Sequence, residues 1–332
     1  MNAAEMTLTK AWEMLVLPEI DPIAESTLRQ YRDDLRLWER LMEKPAVSTI
    51  RRETVMKFRE KLIQTPYQRG KKKAGKRSLN TVNRIVRELH VLFVPFWPAS
   101  HFYPGGLGLC PFFKWPAKLK CQLDFPFYFS VKDLDALYLN ADAYPSTEGC
   151  RSTPLNDPRL WRAAIVLAVN CGARTWDLFG LKWENINLAS TDEYKWGWVV
   201  FRAKKNAKRH KVPLNECSHA HLKDLLTRPI PSTEPDRVFP GVTRKGSAFY
   251  RAWRAIRTKA QLGKVDFEDL RKTCVTMHNN LFPEVGNWIT GHRKSDVTGF
   301  YDNPSERIRE VVYRLEMPPA FKAGMLLLTG AV

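Results

Sequence analysis

Residues 286–304 read GNWITGHRKSDVTGFYDNP, and the rest of the chain is read outward from this stretch. The Gly291-His292 step opens a turn, a short polar segment follows, and Tyr301 stands nine residues after His292. The pattern reads as the end of an active site with Tyr301 as its nucleophile. A phenol has a pKa of about 10, so it attacks only where a neighbour takes its proton or a cationic site favours its anion. The sequence upstream is therefore searched for positive charge.

The totals favour a polyanionic partner. Fifty-three Lys and Arg stand against 35 Asp and Glu, a formal net charge of +18 over 332 residues. Hydrophobic content of 44% is that of a globular chain, and the length accommodates two domains. The six cysteines, Cys110, Cys121, Cys150, Cys171, Cys217 and Cys274, show no CxxC spacing, as expected of a reduced cytosolic protein. The start MNAAEMTLTKAWEM lacks a basic segment followed by an apolar one, and no run approaches the roughly 18–20 apolar residues of a membrane span. A soluble protein with no membrane partner is expected.

The first hundred residues read as four helices with no strand. A short one lies near Leu8 to Leu17. In AESTLRQYRDDLRLWERLME, Ser26 or Thr27 is the cap and Leu28, Tyr31, Leu35, Trp38 and Met42 share a face. In STIRRETVMKFREKLIQT the cap is Ser48 or Thr49, and Val55, Phe58 and Leu62 form the stripe. The fourth carries Val82, Ile85, Leu89, Leu92 and Phe93 and stops at Pro95. Before it lies RGKKKAGKR, in which Arg69, Lys71, Lys72, Lys73, Lys76 and Arg77 put six cations into nine residues. A lone charge run is usually a solvated loop; within a basic helical module it is read as a contact to the phosphate backbone of double-stranded DNA, which positions the protein without reading sequence.

Periodicity lapses after Pro98, and residues 101–128 are read as a connection between domain 1–100 and domain 129–317. The second domain opens on SVKD, a capping box at Ser130. Asp157-Pro158 starts an apolar helix that Gly172 stops, and Leu178 and Leu181 mark a short helix after it. WGWVVFRAKKNAKRHKVPL reads as a hairpin with strands Trp198 to Phe201 and Lys211 to Leu214. The remainder is helical, and residues 318–332 form an apolar tail.

The order CGARTWDLFGLKWENI, a basic hairpin ending VPL, DLRKT, and TGHRKSDVTGFYDNP resembles the tyrosine recombinase (phage integrase) family. The resemblance covers nearly the whole chain. It implies a mainly α fold with a small β-sheet: a helical SAM-like core-DNA-binding domain followed by an α+β catalytic domain. It carries over Arg174, which precedes Asp177-Leu178, as the first catalytic arginine, Arg271 as the second, His292 as the histidine and Tyr301 as the nucleophile. The register against Val212-Pro213-Leu214 gives Lys205 as the general acid, with Lys204 its close rival. Read alone, Arg174 is a solvent-exposed helix-start arginine, Arg271 a partner of Asp269 or Glu268, and each hairpin cation an ordinary surface charge.

The implied reaction explains these residue types. A phosphodiester under in-line attack gathers negative charge on its nonbridging oxygens, which fixed guanidinium forks stabilise. Tyr301 would form a 3′-phosphotyrosine and free a 5′-hydroxyl, with Lys205 protonating the leaving oxygen. The phosphotyrosine conserves bond energy, so neither nucleotide cofactor nor metal is implied. One position departs from the family pattern: FEDLR puts Glu268 where histidine usually stands three residues before the second arginine. Glu268 would turn away to pair with a cation, take the Tyr301 proton, or mark a slow or defective enzyme; the expectation is that activity survives.

The competing readings are a catalytically impaired DNA-binding relative and a type IB topoisomerase-like enzyme. A metal held by Cys217, His219 and His221 is disfavoured, because residues two apart on a helix point to different faces. The resemblance also implies a homo-tetramer on paired DNA sites, accessory DNA-bending proteins, a cytoplasmic, nucleoid-associated setting and a mobile-element origin. No further N-terminal domain is expected. The tail 318–332 is expected either to dock on a neighbouring subunit or to pack on its own domain.

Overall fold

The amphipathic stripes of the first hundred residues fold as helices because each has an apolar face to bury. The structure, a computed structural model, describes residues 5–19, 23–67, 75–100, 103–109, 115–121, 127–144, 153–202, 209–243, 247–291 and 305–330. The chain divides into two units, Met1–Asp124 and Phe125–Val332. In the first, α1 (Leu8–Ala11) runs into a π turn and a 3₁₀ turn that end at Glu19. It is followed by α2 (Glu25–Met42), α3 (Arg52–Gln64) and α4 (Leu79–Phe93). Trp38 of α2 sits at the centre, edge-on to Phe58 of α3 at 4.9 Å and to Phe93 of α4 at 6.3 Å. Such aromatic pairs add about 0.5–1.5 kcal/mol each beyond the area they bury.

Two expected caps differ. The residue before α2 is Ala24, with no side-chain cap, so Ser26 and Thr27 lie inside the helix. Ser48 and Thr49 form a separate 3₁₀ turn, and α3 begins later, where Thr54 Oγ1 accepts the Arg51 N–H at 3.1 Å. The segment after α4 also corrects the expectation of no strand: β1 (Pro98–Ser100) and β2 (Tyr103–Leu107) pair antiparallel. Proline and glycine hide this hairpin from any alternation rule. Residues 115–121 are held on the same unit, where Asn83 Oδ1 accepts the Leu119 N–H at 2.9 Å and Asn83 Nδ2 donates to the Leu119 carbonyl at 3.0 Å.

The second unit starts with α5 (Val131–Leu139), whose capping box is reciprocal: Ser130 Oγ accepts from Asp133 N–H and Asp133 Oδ2 from Ser130 N–H. The central element is α6 (Pro158–Cys171), capped by Asp157 and buried from Leu160 to Cys171 except at Arg162. A helix apolar nearly all round must be enclosed, and truncating one of its large residues costs about 2–5 kcal/mol. The short α7 (Thr175–Leu178) follows, then a three-stranded antiparallel sheet in the order β3 (Ile186–Asn187), β4 (Trp198–Arg202), β5 (Arg209–Pro213). Its register pairs Val199 with Val212 and Phe201 with His210. The remaining helices are α8 (Glu216–Thr227), α9 (Ser247–Lys259), α10 (Asp269–Leu281), α11 (Val285–Ile289), α12 (Ser305–Arg314) and α13 (Pro319–Thr329).

Helices α8 and α10 pack on α6, and α13 packs on α8 and α5. The tail therefore buries Phe321 in its own unit, while Leu326 and Leu327 are exposed. No helix among the described residues is long and apolar enough to cross a membrane.

Candidate active site

Arg271 gathers the site. It sits in the first turn of α10 with its side chain turned into the unit, and it is 8% exposed. A buried guanidinium is tolerated only when acceptors replace its water. One terminal nitrogen of Arg271 donates to the Gly172 carbonyl and the other to the Thr290 carbonyl, the latter at 2.9 Å. Both acceptors lie just past helix ends, α6 and α11, where main-chain carbonyls run out of helical partners and the helix dipole is negative. Burial, and then the Arg174 charge nearby, push the Arg271 pKa below its ordinary value, with Glu268 opposing.

Gly172 makes this junction close. Its φ is +54°, the left-handed region that favours glycine, and an added Cβ would stand 2.5 Å from Thr290 Cγ2 and 2.9 Å from Cys274 Sγ. The ends of α6 and α11 can therefore approach α10 closely enough for one guanidinium to reach both. Gly172 is two residues before Arg174, and Thr290 two before His292.

Arg174 itself is the residue before α7, with its side chain 56% exposed and one guanidinium nitrogen 3.9 Å from Asp177. The α7 N-terminus is occupied by Glu268. Its Oε2 accepts the Thr175 N–H at 2.9 Å and the Thr175 hydroxyl at 2.7 Å. This satisfies a main-chain donor at a helix start and puts a carboxylate where the dipole favours it. Asp269, the other acid expected near Arg271, holds Lys272 at 2.7 Å.

The hairpin joins the site through His210. Its Nε2 lies 2.5 Å from the Ile289 carbonyl, an acceptor, so Nε2–H is the donor. The same imidazole lies under Gly291, 3.9 Å from where a Cβ would be, and Gly291 has φ +74°. Lys204 and Lys205, with the hairpin tip 203–208, lie outside the described residues, as do His292 and Tyr301 within 292–304.

In the first unit, Arg69, Lys71, Lys72 and Lys73 lie outside the described residues, while Lys76 is exposed. Tyr67 and Gly75 exchange two main-chain hydrogen bonds, which closes the base of the basic loop. Arg77 anchors that base by donating to the Thr65 carbonyl at 2.9 Å and stacking on the Tyr67 ring. Burial, followed by the Arg40 charge, lowers its pKa.

The Cys217, His219 and His221 side chains diverge. His219 reaches the Leu188 carbonyl, while His221 donates from Nδ1 to the Cys217 carbonyl and takes the Tyr138 hydroxyl at Nε2, 2.7 Å away. Among the described residues, no group of three His, Cys, Asp or Glu could hold a metal ion. Sequence reasoning missed Thr175, Thr290 and His210. Their contacts span 93, 19 and 79 residues, and no local pattern marks them.

A mainly helical unit with a small three-stranded sheet is the fold of tyrosine recombinase structures. Residues 150–307 match the model of the Phage integrase family. Among solved structures, the Tn1549 transposon integrase in complex with a circular intermediate DNA is 12% identical with a TM-score of 0.61, over 97% of this chain and 99% of that one. A lambda integrase tetramer bound to a Holliday junction is 15% identical, TM-score 0.57, over 87% and 77%. XerH recombinase bound to its difH substrate is 15% identical, TM-score 0.55, over 96% and 81%. These likenesses show the fold. Comparison with curated proteins finds no match. Residues 150–307 thus carry the match to the phage integrase family, the tyrosine recombinases.

Proposed function

We propose that the protein is a site-specific recombinase that cuts and rejoins DNA strands through a 3′-phosphotyrosine on Tyr301. The observation that carries this reading is the placement of Arg271, whose guanidinium holds the carbonyls two residues before Arg174 and two before His292. One side chain thus draws three of the four motifs together, and in this reading the permanent charges of Arg174 and Arg271 both serve one phosphate. In the proposed step the Tyr301 oxygen attacks phosphorus, its proton passes to a base or to solvent, and the P–O5′ bond breaks. Lys205, with Lys204 as its alternative, supplies the proton to the leaving 5′-oxygen, and Arg174, Arg271 and His292 stabilise the charge on the nonbridging oxygens. Rejoining is the reverse, with a 5′-hydroxyl displacing the tyrosine, so no external energy source is consumed.

The first unit, 1–100 in its core, is the DNA-binding module, and Arg69, Lys71, Lys72, Lys73 and Lys76 contact phosphates. Arg77 then serves by holding the base of their loop. Paired sites call for a tetramer, consistent with the assembly described for lambda integrase on a Holliday junction. Catalysis requires no metal from this chain. The test is a nicked duplex carrying the DNA that flanks the gene, in which cleavage releases a short fragment and traps the covalent adduct. Wild type is expected to give a denaturant-stable protein–DNA band that Tyr301→Phe lacks. A band retained in Tyr301→Phe overturns the nucleophile, and no band with wild type overturns the reading.

A further inference from the structure

Strand β5 contributes a residue to the site that the catalytic motifs do not include. We infer that His210 is a positioning residue: its imidazole ties the lysine hairpin to the turn that leads into His292. The proposal rests on the recombinase reading above and deepens it.

Three observations carry it. His210 Nε2 is 2.5 Å from the Ile289 carbonyl, the last residue of α11, so the hydrogen bond also satisfies a helix-end acceptor. The ring lies under Gly291 at van der Waals distance from an added Cβ, and the chain there is turned at φ +74°. The hydrogen bond and ring contact together hold the backbone from Ile289 to Gly291. His210 also pairs with Phe201 in the sheet register, so its backbone is fixed by β4 while its side chain reaches the turn.

The next residue on β5 makes a second tie. Lys211 Nζ lies over the rings of Tyr194 and Trp198, at 3.9 and 4.0 Å. Arg309 of α12 lies over the same Tyr194 ring at 5.4 Å and holds Glu193 at 2.6 Å. Strand β5 is thus linked at His210 to the element that ends at residue 291, and at Lys211 to the element that begins at 305. A hairpin tied at both places cannot shift relative to those ends without breaking one of these contacts. Placement errors of about 1 Å cost on the order of 100-fold in rate, so the loss of the His210 tie is expected in the chemical step.

The experiment measures single-turnover adduct formation on the nicked duplex at saturating protein, together with DNA affinity and melting temperature. His210→Leu keeps bulk and removes the donor; His210→Gln places an amide N–H near the Nε2 position. The expected result is a drop of tenfold or more for His210→Leu, with affinity within twofold and melting within a few degrees of wild type, and recovery to within threefold for His210→Gln. Wild-type rate in His210→Leu overturns the proposal, as does failure of His210→Gln to recover, or loss of affinity and melting in proportion to rate. If wild type gives no adduct, or Tyr301→Phe gives one, the recombinase reading fails instead.

Discussion

Replacing Glu268 tests how this chain accommodates a carboxylate where the resemblance to tyrosine recombinases leads one to expect histidine. Glu268 Oε2 accepts two hydrogen bonds, 2.9 Å from the Thr175 nitrogen and 2.7 Å from its hydroxyl. Bonds to a charged group contribute about 1.5–3 kcal/mol when shielded, but helix caps in solvent give about 0.5–2. Glu268 is exposed, so the lower range applies, and Glu268→Ala should cost about 1–2 kcal/mol. For a unit of this size each kcal/mol shifts melting by about 2–4 °C, so a fall of about 2–8 °C is expected by calorimetry. Half of the interaction runs through the hydroxyl, so in a Thr175→Val background the same substitution should cost roughly half as much. Glu268→His restores the family residue but supplies at most one acceptor, so it should melt lower than wild type and form adduct no faster. Unchanged melting in Glu268→Ala, or full additivity with Thr175→Val, refutes the cap. Adduct formed only by Glu268→His refutes the expectation that the natural residue supports activity.

Other outcomes follow from the same junction. Arg271→Lys cannot reach both carbonyls and should lose about 1–3 kcal/mol with cleavage; Arg174→Lys, whose native side chain is 56% exposed, should melt within about 1 °C of wild type yet lose about 100-fold or more in adduct rate. Gly172→Ala, at φ +54° and 2.5 Å from Thr290 Cγ2, should cost about 2–4 kcal/mol, with partial recovery in Gly172→Ala/Thr290→Ser measured by denaturant unfolding. His278 is buried, and burial lowers its pKa to about 4. The unfolded chain, with a histidine near about 6.5, then binds the extra proton first, so stability is full above about pH 6.5 and falls as pH drops toward 4. About 1.4 kcal/mol of unfolding free energy should be lost from this group between pH 7.5 and 5.5, and His278→Phe should lose that much less than wild type over the same interval.

Much of this architecture was legible because it is local. The stripes of Leu35 and Trp38, Val55 and Phe58, Val82 and Leu89 bury as spaced, and Asp157-Pro158, Gly172 and the Ser130 box bound their helices as their chemistry requires. The hairpin strands were visible from Trp198 to Phe201, but β3 was not, since two residues carry no period. Motif order points to candidate site residues but not to the groups that support them. Thr175 looks like any helix-start threonine and His210 like one more basic residue of a hairpin. Only tertiary folding brings the first to Glu268 and the second to Ile289. The role of Arg77 was hidden for the same reason, because its acceptors are carbonyls, which every residue has.

The two arginines divide the work in the proposed reaction. Arg271 is fixed before DNA arrives, because removing its guanidinium from water is offset by carbonyls at two helix ends. Arg174 is held more loosely: Glu268 fastens the next residue at the start of α7, Asp177 stands 3.9 Å from the guanidinium, and the exposed side chain keeps much of the roughly 2 kcal/mol of rotamer freedom such residues carry. A phosphate entering the site therefore meets one preset cation and orders the second. The Glu268 charge matters to both steps. A carboxylate facing a phosphate would oppose binding, but here it lies against an N–H and a hydroxyl at the positive end of α7, which partly offset its charge. In the proposed reaction Glu268 thereby serves Arg174 by holding the residue beside it.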